Sequence, residues 1–257
     1  MNDRRFRIAL ALMGGCYVLL IAAMIVADVN AMSLSIFTQT FARADVRYAL
    51  MLSLLTSIVS AWLALLIGLP LAYLLARWRF WGRGLILWLV ELPLVLPPLV
   101  IGLSLLILMR TRPGQFVEGI VPFTYSVFGI VLAQFAVVTA FVVRSLRGTF
   151  SDRSFRSEEV ARTLGCTRAQ AFRRVTLRES QPGIQRALTL AWARAFGEFG
   201  PILLFAGVTR FRTEVLPTTI FLELSVGQIE AALAVSVVMM GISGIIVYLL
   251  RESDSIR

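Results

Sequence analysis

The sequence predicts an all-α integral membrane protein, a bundle of six transmembrane helices, and three observations carry that prediction. The chain has 257 residues, 58% of them hydrophobic, and a mean hydropathy of +0.82. Its apolar residues fall in unbroken runs of about 20, the number needed to cross roughly 30 Å of hydrocarbon at about 1.5 Å per residue. One long arginine-rich stretch, Arg144 to Arg186, interrupts these runs and is too polar to enter lipid. Inside a bilayer every backbone polar group has to find its partner within the segment, which makes helix the default.

The first run, 8–27, follows Arg4, Arg5 and Arg7 and precedes a passable cleavage site at Val29-Asn30-Ala31. A secretory signal has an apolar core of about 7–15 residues, and this one is longer, so the run reads as a retained, peripheral first helix. The remaining runs, 49–76, 84–109, 127–143, 187–208 and 231–250, form the core of a single domain covering 1–257. Cys16 and Cys166 fall in the first run and in the arginine-rich loop, an arrangement unsuited to a disulfide framework. Between the fifth and sixth runs, 209–230 is apolar in part yet too short to span. It either lies on the outer surface or dips back into the bundle.

Prolines and charges inside the runs mark candidates for a translocation path or for helix pairing. Pro93, Pro97 and Pro98 interrupt the third run, and Pro70 the second, each removing a hydrogen bond from the helical ladder. Broken helices line transport paths in other membrane proteins, and a simple kink is the plain alternative. Gly68, Gly102, Gly197 and Gly200 permit close helix approach. Glu91, Arg194 and Glu198 are ionisable, and each costs about 2.5–3.5 kcal/mol at a helix centre, so each needs a partner or a cavity. Glu91 and Arg194 both sit roughly 10 Å deep by residue count and are expected to pair across helices. Arg194 and Glu198 are four apart on one helix and offer a local pairing instead.

The net charge is +10, and all 25 basic residues are Arg, with no Lys and no His. With the N-terminus inside, 18 of the 25 fall on the cytoplasmic side and six outside. That bias is a topology signal: it puts both termini in the cytoplasm and removes the need for a nucleic-acid partner, while leaving room for contacts with membrane lipid. Without Lys the chain holds no P-loop, and without His it lacks the commonest metal ligand and general base. The spans contain neither an Asp pair nor a Gly-x-Ser-x-Gly. No catalytic residue, metal site or cofactor is expected in this chain.

The arginine-rich loop, 144–186, reads as a helix pair. Ser157 is placed to cap a helix whose first turn holds Glu158 and Glu159, where negative charge meets the positive end of the helix dipole. Val160, Ala161 and Leu164 make one apolar side, and Gly165 stands where a left-handed residue ends a helix. Thr167 to Gln170 matches a capping box and starts a second helix carrying Phe172, Val175 and Leu177, stopped by Pro182-Gly183. An apolar stripe of this kind suits lipid and a protein partner equally well.

The spacing is more specific than the stripe. Glu159-Val160-Ala161, three residues, Gly165, nine residues, Val175, one residue and Leu177 resembles the cytoplasmic signature of ABC importer permeases, E-A-A-x3-G-x9-I-x-L-P. Val160, Val175 and Arg178 depart from it. Ala193-Arg194-Ala195-Phe196-Gly197-Glu198-Phe199-Gly200, Gly68-Leu69-Pro70-Leu71-Ala72-Tyr73 and Pro93-Leu94-Val95-Leu96-Pro97-Pro98 resemble the molybdate/tungstate branch of that family, with sulfate permeases close by. The likeness runs from about residue 48 to the end of the chain. It implies a coupling role for Glu159, Val160, Ala161, Leu164, Gly165, Phe172, Val175 and Leu177, and import of tetrahedral oxyanions across the inner membrane of a prokaryote. It further implies a second, identical permease, a periplasmic or extracellular binding protein, and a dimeric ATPase partner that holds ATP and Mg. A secondary transporter without an ATPase is the alternative from a different class.

Overall fold

The computed structural model of the protein describes residues 3–152 and 155–255, and every regular element among them is helical. Arg153 and Arg257, counted above for topology, lie outside the described residues. In chain order, α1 (Asp3–Ala31), α2 (Leu34–Ala42) and α3 (Ala44–Arg77) are followed by α4 (Arg83–Val95), α5 (Pro98–Arg110) and α6 (Arg112–Ile120). Then come α7 (Val127–Asp152), α8 (Phe155–Thr163), α9 (Arg168–Ala171), a π turn at Phe172–Thr176 and α10 (Leu177–Glu179). The chain closes with α11 (Gln181–Phe196), α12 (Gly200–Phe205), α13 (Leu216–Ser225) and α14 (Ile229–Ser255).

Among the described residues, four helices are long and apolar enough to cross a membrane: Leu10–Ala31, Ala44–Arg77, Val127–Ser151 and Ile229–Tyr248. The apolar window of the first is unburied, as a peripheral helix would be. The run read as a third span is two helices, α4 and α5, meeting at 118°. Leu96 is extended and Pro97 and Pro98 have no N–H to offer a preceding turn, so the ladder stops there. Pro93 is carried inside α4 and Pro70 inside an unbroken α3, so only two of the four prolines mark a break. The fifth run is likewise divided, with α11 ending at Phe196 and α12 beginning at Gly200.

The core is built where α3, α7 and α11 meet. Small residues, Ala61, Ala64 and Ala72 of α3 and Ala187, Ala191 and Ala195 of α11, pack with Leu65 against Val138, Val142 and Leu146 of α7. A Cβ on Gly68 would stand 2.8 Å from Val142 Cγ1. Gly102 and Gly200 let α5 cross α12, since a Cβ on Gly102 would lie 2.8 Å from Pro201 Cα. A Cβ on Gly197 would meet only the Ala193 carbonyl oxygen of its own helix, at 3.8 Å, so Gly197 admits no neighbouring helix, contrary to the expectation from sequence. A polar seam runs through this core: Ser60 Oγ donates to Gln134 Oε1 at 2.9 Å, and Trp192 Nε1 to Ser57 Oγ at 3.0 Å. Gln134 Nε2 then donates to the Ala195 carbonyl at 3.1 Å, one of the end carbonyls that the break in α11 deprives of a normal partner.

At the end of α3 near Asp45, charges clamp the short elements together. Arg43 donates to Asp45 at 2.6 Å and to Glu223 of α13 at 2.8 Å, and Arg210 donates to Glu223 at 3.1 Å. The Leu216 N–H donates to Ser53 Oγ at 2.7 Å, so α13 dips into the bundle beside α3 rather than lying on its outside. Nearby, burial pushes the Glu214 carboxyl above its usual range against the lowering pull of Thr219 and Arg210. Asp45 and Tyr73 are 28 positions apart on α3, so the two ends of the bundle are separated by about 42 Å at about 1.5 Å per residue.

Candidate functional site

At the Tyr73 end, α8, α9 and the π turn form one polar element held to the end of α3. Its first helix ends as the sequence predicts. Gly165 has φ +92°, its N–H donates to the Arg162 carbonyl at 3.1 Å, and Cys166 N–H reaches the Ala161 carbonyl at 3.1 Å. These two bonds around a left-handed glycine are a Schellman ending, which satisfies carbonyls the helix would otherwise leave bare. The capping box is also present: Thr167 N–H donates to Gln170 Oε1 at 2.9 Å, and Gln170 N–H to Thr167 Oγ1 at 3.3 Å. Two details differ. Helix α8 is under way by Phe155, so Ser157 lies inside it rather than capping it, and Pro182 sits in the first turn of α11, where a missing N–H costs nothing.

The inner side of this element is held by Glu158, a residue the sequence reading used only as a first-turn acid. Its carboxylate is 9% exposed and accepts from Tyr73 Oη at 2.7 Å and from Thr176 Oγ1 at 3.0 Å, with Arg77 Nε at 3.5 Å. One carboxylate therefore joins the end of α3, the first turn of α8 and the π turn. The Tyr73 ring lies 4.3 Å from Phe172, 5.7 Å from Phe150 of α7 and 5.4 Å from Trp78. The π turn widens the helix where Thr176 is driven to full burial, and such turns cluster at functional sites. Tyr73 closing an apolar helix and Glu158 beside Glu159 are the only traces of this relay in the sequence.

The signature residues are thereby divided. Glu159, Val160 and Leu164 face outward, with Val160 57% and Leu164 80% exposed, while Phe172, Val175 and Leu177 are half-buried toward the bundle. Ala161 is half-buried between the two sets. Arg162, Arg168, Arg173, Arg174 and Arg178 are exposed around the outward patch. An apolar knob ringed with cations thus sits on a helix pinned from behind.

The candidates inside the bundle pair differently from the cross-helix expectation. Glu91 meets Arg147 of α7 at 3.1 Å, not Arg194. Arg194 instead pairs with Glu198 on its own segment and lies over the Phe141 ring at 5.6 Å. Glu198 is 1% exposed, buried at the gap between α11 and α12 that frees it to fold back on Arg194. Pro97 and Pro98 open α5 directly against Gly200, bringing the two broken runs into contact at their breaks.

An all-helical membrane bundle with two interrupted inner runs and a pinned surface helix pair has the build of a transport permease. The chain belongs to the family of binding-protein-dependent transport system inner membrane components, whose pattern matches residues 64–253. Among curated proteins it is 41% identical over 192 residues to a probable molybdenum ABC transporter permease protein of Haloferax volcanii, covering 74% of this chain and 69% of that one. It is 32% identical over 244 residues to the sulfate transport system permease protein CysT of Salmonella typhimurium, covering 93% and 88%. Among solved structures, a chain of the bacterial alginate ABC transporter, in complex with an alginate pentasaccharide-bound periplasmic protein, superposes with a TM-score of 0.75 at 17% identity, covering 96% and 93%. That likeness is one of fold. The protein is thus a multi-pass membrane component and a permease subunit of an ABC importer, not an enzyme.

Proposed function

We propose that this chain is the permease of an ATP-driven importer for molybdate- and tungstate-type oxyanions. It crosses the membrane six times, with the α4–α5 and α11–α12 pairs as its two broken crossings and both termini in the cytoplasm of a prokaryote. Two copies enclose the path, the outermost helix α1 meeting membrane lipid. The α8–α10 element lies in the cytoplasm between the fourth and fifth crossings and docks on a dimeric ATPase, where ATP and Mg are held. A cargo-loaded binding protein meets the opposite end, around α2 and α13. Glu91, Pro93, Pro97, Pro98, Arg194, Gly197 and Glu198 belong to the inner path or to the helix pairing that shapes it.

The observation that carries this reading is the division of α8: Leu164 and Val160 outward for a partner, Glu158 inward as a tie to α3. A docking face alone suits an anchor, whereas a docking face wired to a membrane helix suits transmission of force. The molybdenum relative's higher identity favours molybdate-type cargo. Sulfate is the second reading, supported by a sulfate relative that spans 93% of the chain.

Reconstitution tests it. The chain, its co-purifying ATPase and the binding protein are placed in liposomes, and uptake of molybdate, tungstate and sulfate is followed. ATP-dependent uptake that requires the binding protein and is blocked by unlabelled molybdate or tungstate, but not sulfate, is expected. Uptake driven by an ion gradient without ATP would overturn the reading in favour of a secondary transporter.

A further inference from the structure

A groove of about 560 Å³ lies between α7 and α11, on the half of the bundle nearer α8. Its walls include Phe141, Arg144 and Ser145 of α7 and Leu190, Ala193 and Arg194 of α11. Three arginines cluster here, and their partners differ. Arg147, one turn beyond Arg144, is neutralised by Glu91 at 3.1 Å, and Arg194 by the buried Glu198. Arg144 is exposed and has no carboxylate partner among the described residues. The groove therefore carries an uncompensated positive charge beside a second guanidinium whose outer edge is still accessible, Arg194 being 32% exposed.

A guanidinium facing acyl chains costs at least about 2.5 kcal/mol, so residues of this kind on a membrane helix face water or protein. Phe141 and Leu190 supply apolar walls, which weaken screening and lengthen the reach of the charge. Two planar guanidiniums and a hydroxyl match the several acceptor oxygens of a tetrahedral dianion. No carboxylate lines the groove to repel one. Glu198, which sits oddly in an anion path, acts from behind: it fixes the Arg194 rotamer and lowers the net charge, so an anion is met without being trapped.

We infer that the α7–α11 groove is a transient binding subsite for a tetrahedral oxyanion on the inner half of the path, with Arg144 as its principal cation. The inference rests on the importer reading above. A phosphate headgroup of an anionic lipid shares the same chemistry, and the experiment separates the two sources.

The full chain with its co-purifying partners is placed in phosphatidylcholine nanodiscs, Cys16 and Cys166 are replaced by Ser, and Leu190→Cys is added as the reporter. Labelling is compared between an anionic and a cationic methanethiosulfonate, with and without tungstate or sulfate. The anionic reagent is expected to react faster, and added oxyanion to slow it. Arg144→Gln should lower the anionic-to-cationic ratio roughly tenfold and abolish protection, on the scale of one surface charge near the thiol. Arg144→Lys, which keeps the charge, should hold the ratio. A reporter unreactive to both reagents, or reactive without oxyanion protection, would overturn the inference. So would slow labelling that appears only when phosphatidylglycerol is present and needs no added oxyanion, which identifies a lipid occupant. ATP-dependent uptake by the same purified complex, reconstituted in phosphatidylcholine liposomes, is read in parallel: uptake with no protection sinks the subsite alone, and protection with no uptake sinks the importer reading alone.

Discussion

Glu158 is the residue whose removal should separate docking from transport. Its carboxylate is the common acceptor for Tyr73 and Thr176 and stands 3.5 Å from Arg77. Each hydrogen bond to a charged group is worth about 1.5–3 kcal/mol. Glu158→Ala takes the acceptor from the buried Thr176 hydroxyl and the half-buried Tyr73 hydroxyl and a carboxylate from beside Arg77, a loss on the order of 3–5 kcal/mol, as when one partner of a buried pair is removed. Glu158→Gln keeps the shape and forfeits only the charge assistance, about 1–2 kcal/mol. Tyr73→Phe keeps the ring packing on Phe172 and loses one bond. Because Val160 and Leu164 point away from this relay, the variants should still recover the ATPase on purification. What falls is transport per ATP hydrolysed in proteoliposomes, in the order Ala, then Phe, then Gln. Tyr73→Phe and Glu158→Ala should be coupled by about 1 kcal/mol or more in a double-mutant cycle on thermal stability. Strict additivity, or wild-type transport in Glu158→Ala, would refute the relay.

Three further outcomes are expected. Gly165→Ala meets no steric obstacle but must hold φ +92°, which costs about 1–2 kcal/mol and should fray α8, read as faster amide exchange at Cys166 and Gly165 neighbours. A charge swap, Glu91→Arg with Arg147→Glu, should restore transport lost in either single variant, whereas Glu91→Arg with Arg194→Glu should not, since Arg194 belongs to Glu198. Glu214 titrates above its ordinary value of 4.5 because it is buried, so the folded state holds a proton that the unfolded chain has released. Stability near α13 is then greatest below pH 4.5 and falls as pH rises through the folded value, by at most about 1.4 kcal/mol per pH unit, a slope that Glu214→Gln should flatten in thermal scans.

The features most legible in the sequence are those set by neighbouring residues. The Schellman glycine, the capping box and the break at Pro97-Pro98 all depend on a few adjacent side chains, and all three are where the residues put them. The long apolar helices are legible for the same reason, since hydrocarbon thickness fixes their length. Pairings across helices are not. Depth by residue count put Glu91 beside Arg194 because it assumed straight helices, and the 118° bend between α4 and α5 and the gap after Phe196 move both residues to other partners. The relay from Tyr73 to Glu158 joins residues 85 positions apart, and no local pattern announces it. Gly197 shows the converse error: it relaxes a helix end instead of admitting a neighbour.

Whether an ATPase grips the outward face of α8 can be measured directly. A photo-crosslinking amino acid placed at Leu164, 80% exposed beside the signature glycine, is compared in native membranes with one at Phe116 of α6, 73% exposed. Products are identified by mass spectrometry. A P-loop ATPase subunit captured at Leu164 and absent at Phe116 is the expected result. No ATPase at Leu164, or equal capture at both positions, would contradict the assignment of α8–α10 as the coupling element.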